Sequence, residues 1–380
     1  MTRPIPPSAA IAPVSDAPDA NAAATVSDTR GGAVSNRDGA SGVSDTYSIC
    51  TDTCSASRPR LTRSVIVNTI GLLLFVLVPA IASATGESFL VNLMTRFLIY
   101  AIAAVSLDLI LGYGAMVSFG HAAFFGLGGY VIGIAAFHVN QGETLFGWGG
   151  SNAALVMWPL AVAIAALLGL VVGFLSLRTS GVQFIMITLA FGQMLYFILV
   201  GLMIYGGDDG LSIDARNTLP GLNLNDPSTF YYVCLALMTA WIIVCRRIVN
   251  SPFGMALQSI KQNPRRSIGL GLAPLRYRLT AFVLSAAGTG LAGALWANYA
   301  LFVSPDMSAW QKSGELMAMV ILGGMGSIFG PVLGVAVYLG LEQVATGWTE
   351  HWMLILGPVL VLVVLFGKRG VYGWLAGGKQ

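Results

Sequence analysis

The sequence predicts an all-α fold, a polytopic transmembrane helical bundle of about 8–10 spans with a broken or re-entrant segment near 316–342. Composition is the first reason. Of 380 residues, 56% are hydrophobic and only 10% charged, against about 25% charged in a soluble domain. So few charges cannot cover a water-facing surface, which excludes an ordinary soluble enzyme and makes lipid the solvent for most of the chain. The second reason is periodicity of a coarse kind. Apolar runs of ~20 residues, enough to cross a hydrocarbon core of ~30 Å, recur with short polar breaks. The third is glycine, 46 residues in all. Pairs and triples at four-residue spacing (Gly129/Gly133, Gly169/Gly173, Gly326/Gly330/Gly334) suit close helix–helix contact in a membrane.

Taken in order, residues 1–57 are a mixture of Ala, Ser, Asp, Pro, Thr and Gly. Such a segment cannot bury enough apolar surface to offset its ordering entropy, so a disordered tail is expected. It lacks the apolar stretch of a signal peptide. A membrane domain over 58–370 follows, and 371–380 make a short C-terminal tail. Spans are expected at 65–82, 89–111, 115–137, 153–177, 182–204, 229–245, 279–303, 316–342 and 352–367. Cys50 and Cys54 lie in the tail. Cys234 and Cys245 share one apolar segment, ~16 Å apart along a helix. Neither pair has zinc-finger context, and all four are read as structurally incidental.

Basic residues orient the spans, because cytoplasmic loops accumulate Lys and Arg. Arg58, Arg60 and Arg63 place the start of the first span inside. Loops 138–152 and 205–228 then fall outside, and Arg178 and loop 246–278 inside. That inner loop holds seven of the chain's twenty basic residues: Arg246, Arg247, Lys261, Arg265, Arg266, Arg276 and Arg278. The outer loops hold Arg216 and Lys312. If 316–342 crossed once, Lys368 and Arg369 would end outside. The run Gly323-Gly324-Met325-Gly326-Ser327-Ile328-Phe329-Gly330-Pro331 resists a continuous helix, and a re-entrant pair there restores the pattern. Both termini are then cytoplasmic.

No catalytic constellation is present. His121, His138 and His351 lie in different segments, and neither a cofactor motif nor a metal-binding spacing is found. No Gly-x-x-x-x-Gly-Lys-Ser/Thr loop exists to cradle ATP phosphates, so any ATP-driven work needs a separate ATPase. Nothing points to nucleic acid. Inside the spans only Arg96, Asp108 and Glu342 are charged, too few acids for a proton relay. Arg96 and Asp108 are ~18 Å apart along a helix and cannot pair. Asp108, beside Gly112-Tyr113-Gly114, is expected within reach of water.

Three stretches stand out. Ser118-Phe119-Gly120-His121-Ala122-Ala123-Phe124 mixes small residues, aromatics and a histidine, which suits either a pathway lined by exposed backbone or close packing around a hydrogen-bonded His121. Gly206-Gly207-Asp208-Asp209-Gly210-Leu211-Ser212 makes an outer turn, with a cation or an external partner as the alternative reading. The inner loop is the most specific. Ser251-Pro252 is a helix-start pair, Phe253-Gly254-Met255-Ala256-Leu257 continues an amphipathic helix, Asn263-Pro264 breaks it, and a second short helix runs to Gly269 or Gly271. Such a helix pair is a docking knob, with Phe253, Met255 and Leu257 expected to supply the contact.

At this loop the chain resembles the branched-chain amino acid ABC permease family. Ser251 to Leu257, Asn263, Gly271, Tyr277 and Ala281-Phe282-Val283-Leu284-Ser285-Ala286 carry the likeness. It extends to Leu291-Ala292-Gly293-Ala294-Leu295, Leu111-Gly112-Tyr113-Gly114, Ser118 to Gly126, Thr188-Leu189-Ala190-Phe191-Gly192-Gln193-Met194 and Gly206 to Leu211, and covers about residues 89–370. It is nearest the larger, LivM-type membrane subunit. The resemblance implies an importer of the bacterial inner membrane with a second homologous permease subunit, two cytoplasmic ATPases and an external substrate-binding protein. The inner loop would contact an ATPase, and Ser118, Gly120, His121, Phe124, Thr188 and Gln193 are the pathway candidates. Pro264-Arg265-Arg266 departs from the acidic and small residues usual after that asparagine. A permease for urea, short amides or another small solute shares the motifs; a stand-alone channel or ion-coupled carrier fits the loop poorly.

Overall fold

The computed structural model describes residues 88–142 and 150–347, together with isolated positions at 71, 75–79, 354, 357–358, 361 and 372. The described residues belong to one compact unit. The expected tail, the expected spans at 65–82 and 352–367, and the C-terminal end lie largely outside the described residues.

Ten helices are described: α1 (Ser88–Leu111), α2 (His121–Gln141), α3 (Ala154–Ser176), α4 (Val182–Gly201), α5 (Pro227–Val249), α6 (Pro252–Gln262), α7 (Pro264–Gly269), α8 (Pro274–Ala300), α9 (Trp310–Gly323) and α10 (Gly330–Thr346). Among the described residues, α1 to α5 and α8 are long and apolar enough to cross a membrane. A two-stranded antiparallel ribbon joins β1 (Leu211–Ser212) to β2 (Phe302–Val303) with Leu211 opposite Val303. The fold is the expected all-α polytopic bundle.

α1, α2 and α8 are buried along most of their length, whereas α3, α4 and α5 expose long apolar faces. The central three can approach closely because small residues meet there. A Cβ on Gly128 of α2 would collide with the carbonyl of Gly290 on α8, and one on Gly293 with the carbonyl of Phe125. Backbone-to-backbone contact of this kind replaces the hydrophobic drive that lipid cannot supply.

The segment expected as 115–137 enters its helix later, at His121. Ala115 has a positive φ of 52°, and the amides of Gly114 and Met116 both donate to the carbonyl of Ile110. The chain from 115 to 120 is therefore non-helical, with Met116, Ser118 and Gly120 buried. Irregular backbone at this depth is tolerated because protein surrounds it.

The expected break near 316–342 is a helical hairpin. Gly324 and Gly326 take φ of 108° and 78°, Pro331 sits in the first turn of α10, and the arms pack with Gly323 against Gly330 and Gly334 against Met319, each too close for a Cβ. Two long-range contacts fix its direction. The Gly326 amide donates to Asp108 Oδ1 at 2.9 Å, and Arg96 Nη2 meets Glu342 Oε1 at 2.7 Å. Since Asp108 and Arg96 are ~18 Å apart on α1, α10 runs antiparallel to α1. The hairpin tip lies at the end of the bundle that carries the basic loop, and its two open ends lie at the opposite end.

That opposite end is closed by loop 202–226. Its lone arginine, Arg216, donates to the carbonyls of Asn298 (3.1 Å) and Leu224 (2.9 Å) and covers the Phe230 ring. Asp226 caps α5, accepting from Thr229 Oγ1 (2.8 Å) and its amide (3.2 Å), which holds its carboxyl below the usual range.

Candidate functional site

Two of the expected motifs meet at the start of α2. Thr188 and Gly192, one turn apart on α4, face the non-helical stretch before His121. An added Cβ on Gly192 would lie 3.4 Å from the Gly120 Cα, and one on Gly120 would press on the Thr188 carbonyl. Gly120, Phe124 and Thr188 line a narrow crevice with Leu168, Val172 and Phe282. Its volume is about 20 Å³, room for about one water. Ser118 and His121 lie behind its wall, and Gln193 is half-buried on α4 without lining it.

His121 is fully buried and both ring nitrogens are engaged. Nδ1 is 3.0 Å from Ser118 Oγ and Nε2 is 2.9 Å from Ser285 Oγ. Ser285 donates its one proton to the Ser106 carbonyl, so it accepts from Nε2–H, and in the neutral ring Nδ1 accepts from the Ser118 hydroxyl. Phe124 and Phe282 approach the ring edge-to-face, each at 5.3 Å. The Trp241 indole N–H adds a bond to Ser106 Oγ at 2.8 Å. The motif residue thus ties together α1, α2 and α8, with α5 joined through Trp241.

Asp108 is buried rather than water-exposed, at 1% accessibility. The reason is the hairpin: its tip covers the carboxylate, and Gly112 packs against Gly326 and Asp108 with no room for a Cβ. Sequence reading found Arg96 and Glu342 separately but could not join residues 246 positions apart.

At the basic end, α6 and α7 form the expected helix pair. Ser251 is the N-cap of α6 and Pro252 its first residue. The Ser251 hydroxyl donates backward to the Ile248 carbonyl at 2.6 Å instead of accepting from the helix. Asn263 caps α7 through Oδ1, accepting the Arg266 amide at 3.1 Å, and Pro264 occupies the first turn, so Pro264-Arg265-Arg266 is compatible with a helix. Gly271, φ 81°, ends α7. Its amide donates to Ile268 and the Leu272 amide to Ser267, the paired bonds of a Schellman end.

The exposed face of this pair differs from expectation. Leu257 is buried at 1%, Gly254 packs on the carbonyls of Ile248 and Val249, and Phe253 stacks on Tyr277 of α8 at 5.6 Å. Those residues hold the loop to its own bundle. Met255 is exposed, joined by Ile268 of α7 and Leu270 just after it, which periodicity over α6 alone did not reveal. Lys261 reaches back to donate to the Gly112 carbonyl at 2.6 Å. The loop, the end of α1 and the hairpin tip therefore touch in series.

At the opposite end, Gly207–Asp209 is a short 3₁₀ turn with Asp208 and Asp209 exposed. Gly210, φ 81°, packs on the Val303 carbonyl and the Phe302 ring, which anchors the turn to β2.

Residues 89–364 match the family described as branched-chain amino acid transport system / permease component. The chain is 29% identical over 305 residues to the high-affinity branched-chain amino acid transport system permease protein LivM of Salmonella typhimurium, covering 74% of this chain and 69% of that protein. The LivM protein of Escherichia coli gives the same identity and coverage. A probable LivM permease of Methanocaldococcus jannaschii is 24% identical, covering 71% and 86%. No solved structure is similar by the same standard. The inner-loop, α2 and hairpin motifs all fall within the matched region, and the chain belongs to the branched-chain amino acid transport permease family, as a multi-pass membrane permease.

Proposed function

We propose that this permease pairs with a second, homologous permease to form the pathway of an ATP-binding cassette importer for branched-chain or related hydrophobic amino acids. Two separate cytoplasmic ATPases drive it and an external binding protein supplies it. The observation that carries the reading is the α6–α7 pair. It presents Met255, Ile268 and Leu270 on a basic loop, while Phe253, Leu257 and Lys261 fasten it to the bundle. Apolar groups of this kind dominate protein interfaces, and the surrounding arginines steer association more than they hold it. Gly120, Phe124 and Thr188 border the solute path near the start of α2, Ser118 and His121 keep that wall in place, and Gln193 stands beside it. The turn at Gly207, Asp208, Asp209 and Gly210 faces the binding protein.

The test is reconstitution of the chain with its permease, ATPase and binding-protein partners in vesicles, given L-leucine, urea and acetamide in turn. ATP-dependent uptake of leucine is expected. Uptake of urea or acetamide in its place would overturn the substrate, and uptake without ATPases would overturn the class.

Orientation follows from the same loop, with the basic end in the cytoplasm and residues 1–57 and 368–380 on that side. An alkaline phosphatase fused after Gly378 is expected to be inactive in a bacterial inner membrane. Since the hairpin returns to the end opposite the basic loop, an active fusion would mean that no span follows it.

A further inference from the structure

A second cavity, of about 230 Å³, lies at the end opposite the basic loop. Phe125, Trp296 and Met307 give it an apolar wall, and Asp306 and Lys312 bring one charge of each sign to its rim. We infer that this cavity is a receiving site for a small zwitterion with an apolar side chain, Lys312 taking its carboxylate and Asp306 its ammonium. The inference rests on the importer reading above and adds to it a location and a chemistry.

Four observations support it. The cavity has room for about eight water molecules at ~30 Å³ each, the scale of one small solute and far more than the crevice at Gly120. Its polar groups are underused. Lys312 spends one of its three donors on Glu315 Oε2 at 2.7 Å, and the Asp306 carboxylate, which is exposed, makes no hydrogen bond to another described side chain. Ionisable residues this close to a membrane interior mark solute paths by default, and a few convergent polar groups on an apolar wall are the usual make-up of a small-molecule site.

The apolar wall is also held rigid. Trp296 lies 5.2 Å from the Tyr100 ring and 6.2 Å from that of Phe125. Arg96, tied to Glu342, lies over the Tyr100 ring at 5.7 Å. Finally, position favours delivery. Phe302 of β2 borders the cavity and packs against Gly210 of the exposed aspartate turn. The turn and the cavity therefore adjoin through Phe302. A zwitterion answers both rim charges, whereas an uncharged solute such as urea leaves Asp306 without a counter-charge and the spare donors of Lys312 without an anion.

The full-length chain in lipid nanodiscs, titrated with L-leucine and followed by saturation-transfer NMR on the ligand, tests the site directly. L-leucine is expected to bind about tenfold more tightly than isovalerate, which lacks the ammonium, or isoamylamine, which lacks the carboxylate; that is the ~1.4 kcal/mol scale of one charge-assisted hydrogen bond. Lys312→Met should erase the preference of leucine over isoamylamine, and Asp306→Asn that over isovalerate. Asp306 is exposed, so its variant does not threaten the fold, and Glu315→Gln controls for the ion pair lost with Lys312. In reconstituted vesicles the two variants should raise the KM for leucine and leave the binding protein's own affinity unchanged. Leucine uptake with wild-type KM and unchanged ligand preference in both variants would overturn the cavity while leaving the importer intact. Uptake of a non-zwitterionic solute by the wild-type importer would instead overturn the substrate reading, and the cavity's role with it.

Discussion

Replacing Glu342 by leucine is expected to destabilise the inserted protein by about 3 kcal/mol or more, because it strands the Arg96 guanidinium against Tyr100 in a partly buried setting. The pair joins the C-terminal end of α10 to the N-terminal half of α1, so its loss should free the hairpin's open end while the tip stays bonded to Asp108. Replacing Arg96 by methionine in the same chain removes the stranded charge as well. The double variant should therefore recover most of the loss, as buried ion pairs replaced together by apolar residues often do. Thermal or denaturant unfolding of the four proteins of this cycle in detergent measures the coupling. Additive losses would mean that the two residues do not depend on each other and that the hairpin is held elsewhere.

Removing the Phe253 ring should uncouple transport. Phe253 is half-buried; it stacks on Tyr277 and fastens α6 to the first turn of α8. Truncating a core phenylalanine costs about 3–5 kcal/mol, and for this half-buried ring a smaller, local penalty of about 2 kcal/mol is expected. The helix pair would then move against α8 instead of with it. Phe253→Ala should lower ATP-driven uptake at least about tenfold, the effect of ~1.4 kcal/mol in positioning, at equal membrane abundance. Phe253→Tyr keeps the stack and should retain uptake. Met255→Ser, on the exposed face, should weaken ATPase association instead, read by co-purification. Normal uptake in Phe253→Ala with ATPases bound would move the coupling route to another loop.

The serial contact from Lys261 through Gly112 to Asp108 and Gly326 gives that route a physical form. A shift of α6 pulls on the carbonyl at the end of α1, and the hairpin tip rests on the same two residues.

Much of this protein was legible in its residues alone. Few charges and long apolar runs determined a lipid-solvated helical bundle, since each lipid-facing backbone group must be satisfied within its own helix. Glycine and proline density determined that 316–342 would break. Ser251-Pro252, Asn263-Pro264 and Gly271 determined a capped helix pair, because caps are local chemistry read from neighbours in sequence. What only the tertiary structure decided were the relations between distant segments. Arg96 with Glu342, Asp108 with Gly326, Lys261 with Gly112 and His121 with Ser285 each join residues more than a hundred positions apart. The same holds for which side of α6 is free. An amphipathic pattern marks an apolar face but not the surface that buries it, so Leu257 is buried in the bundle, Phe253 stacks half-buried on Tyr277 and Met255 lies outside. The late start of α2 has the same cause. A stretch that reads as apolar helix from 115 onward is non-helical to Gly120, where the Thr188 carbonyl leaves room for a backbone and for no Cβ.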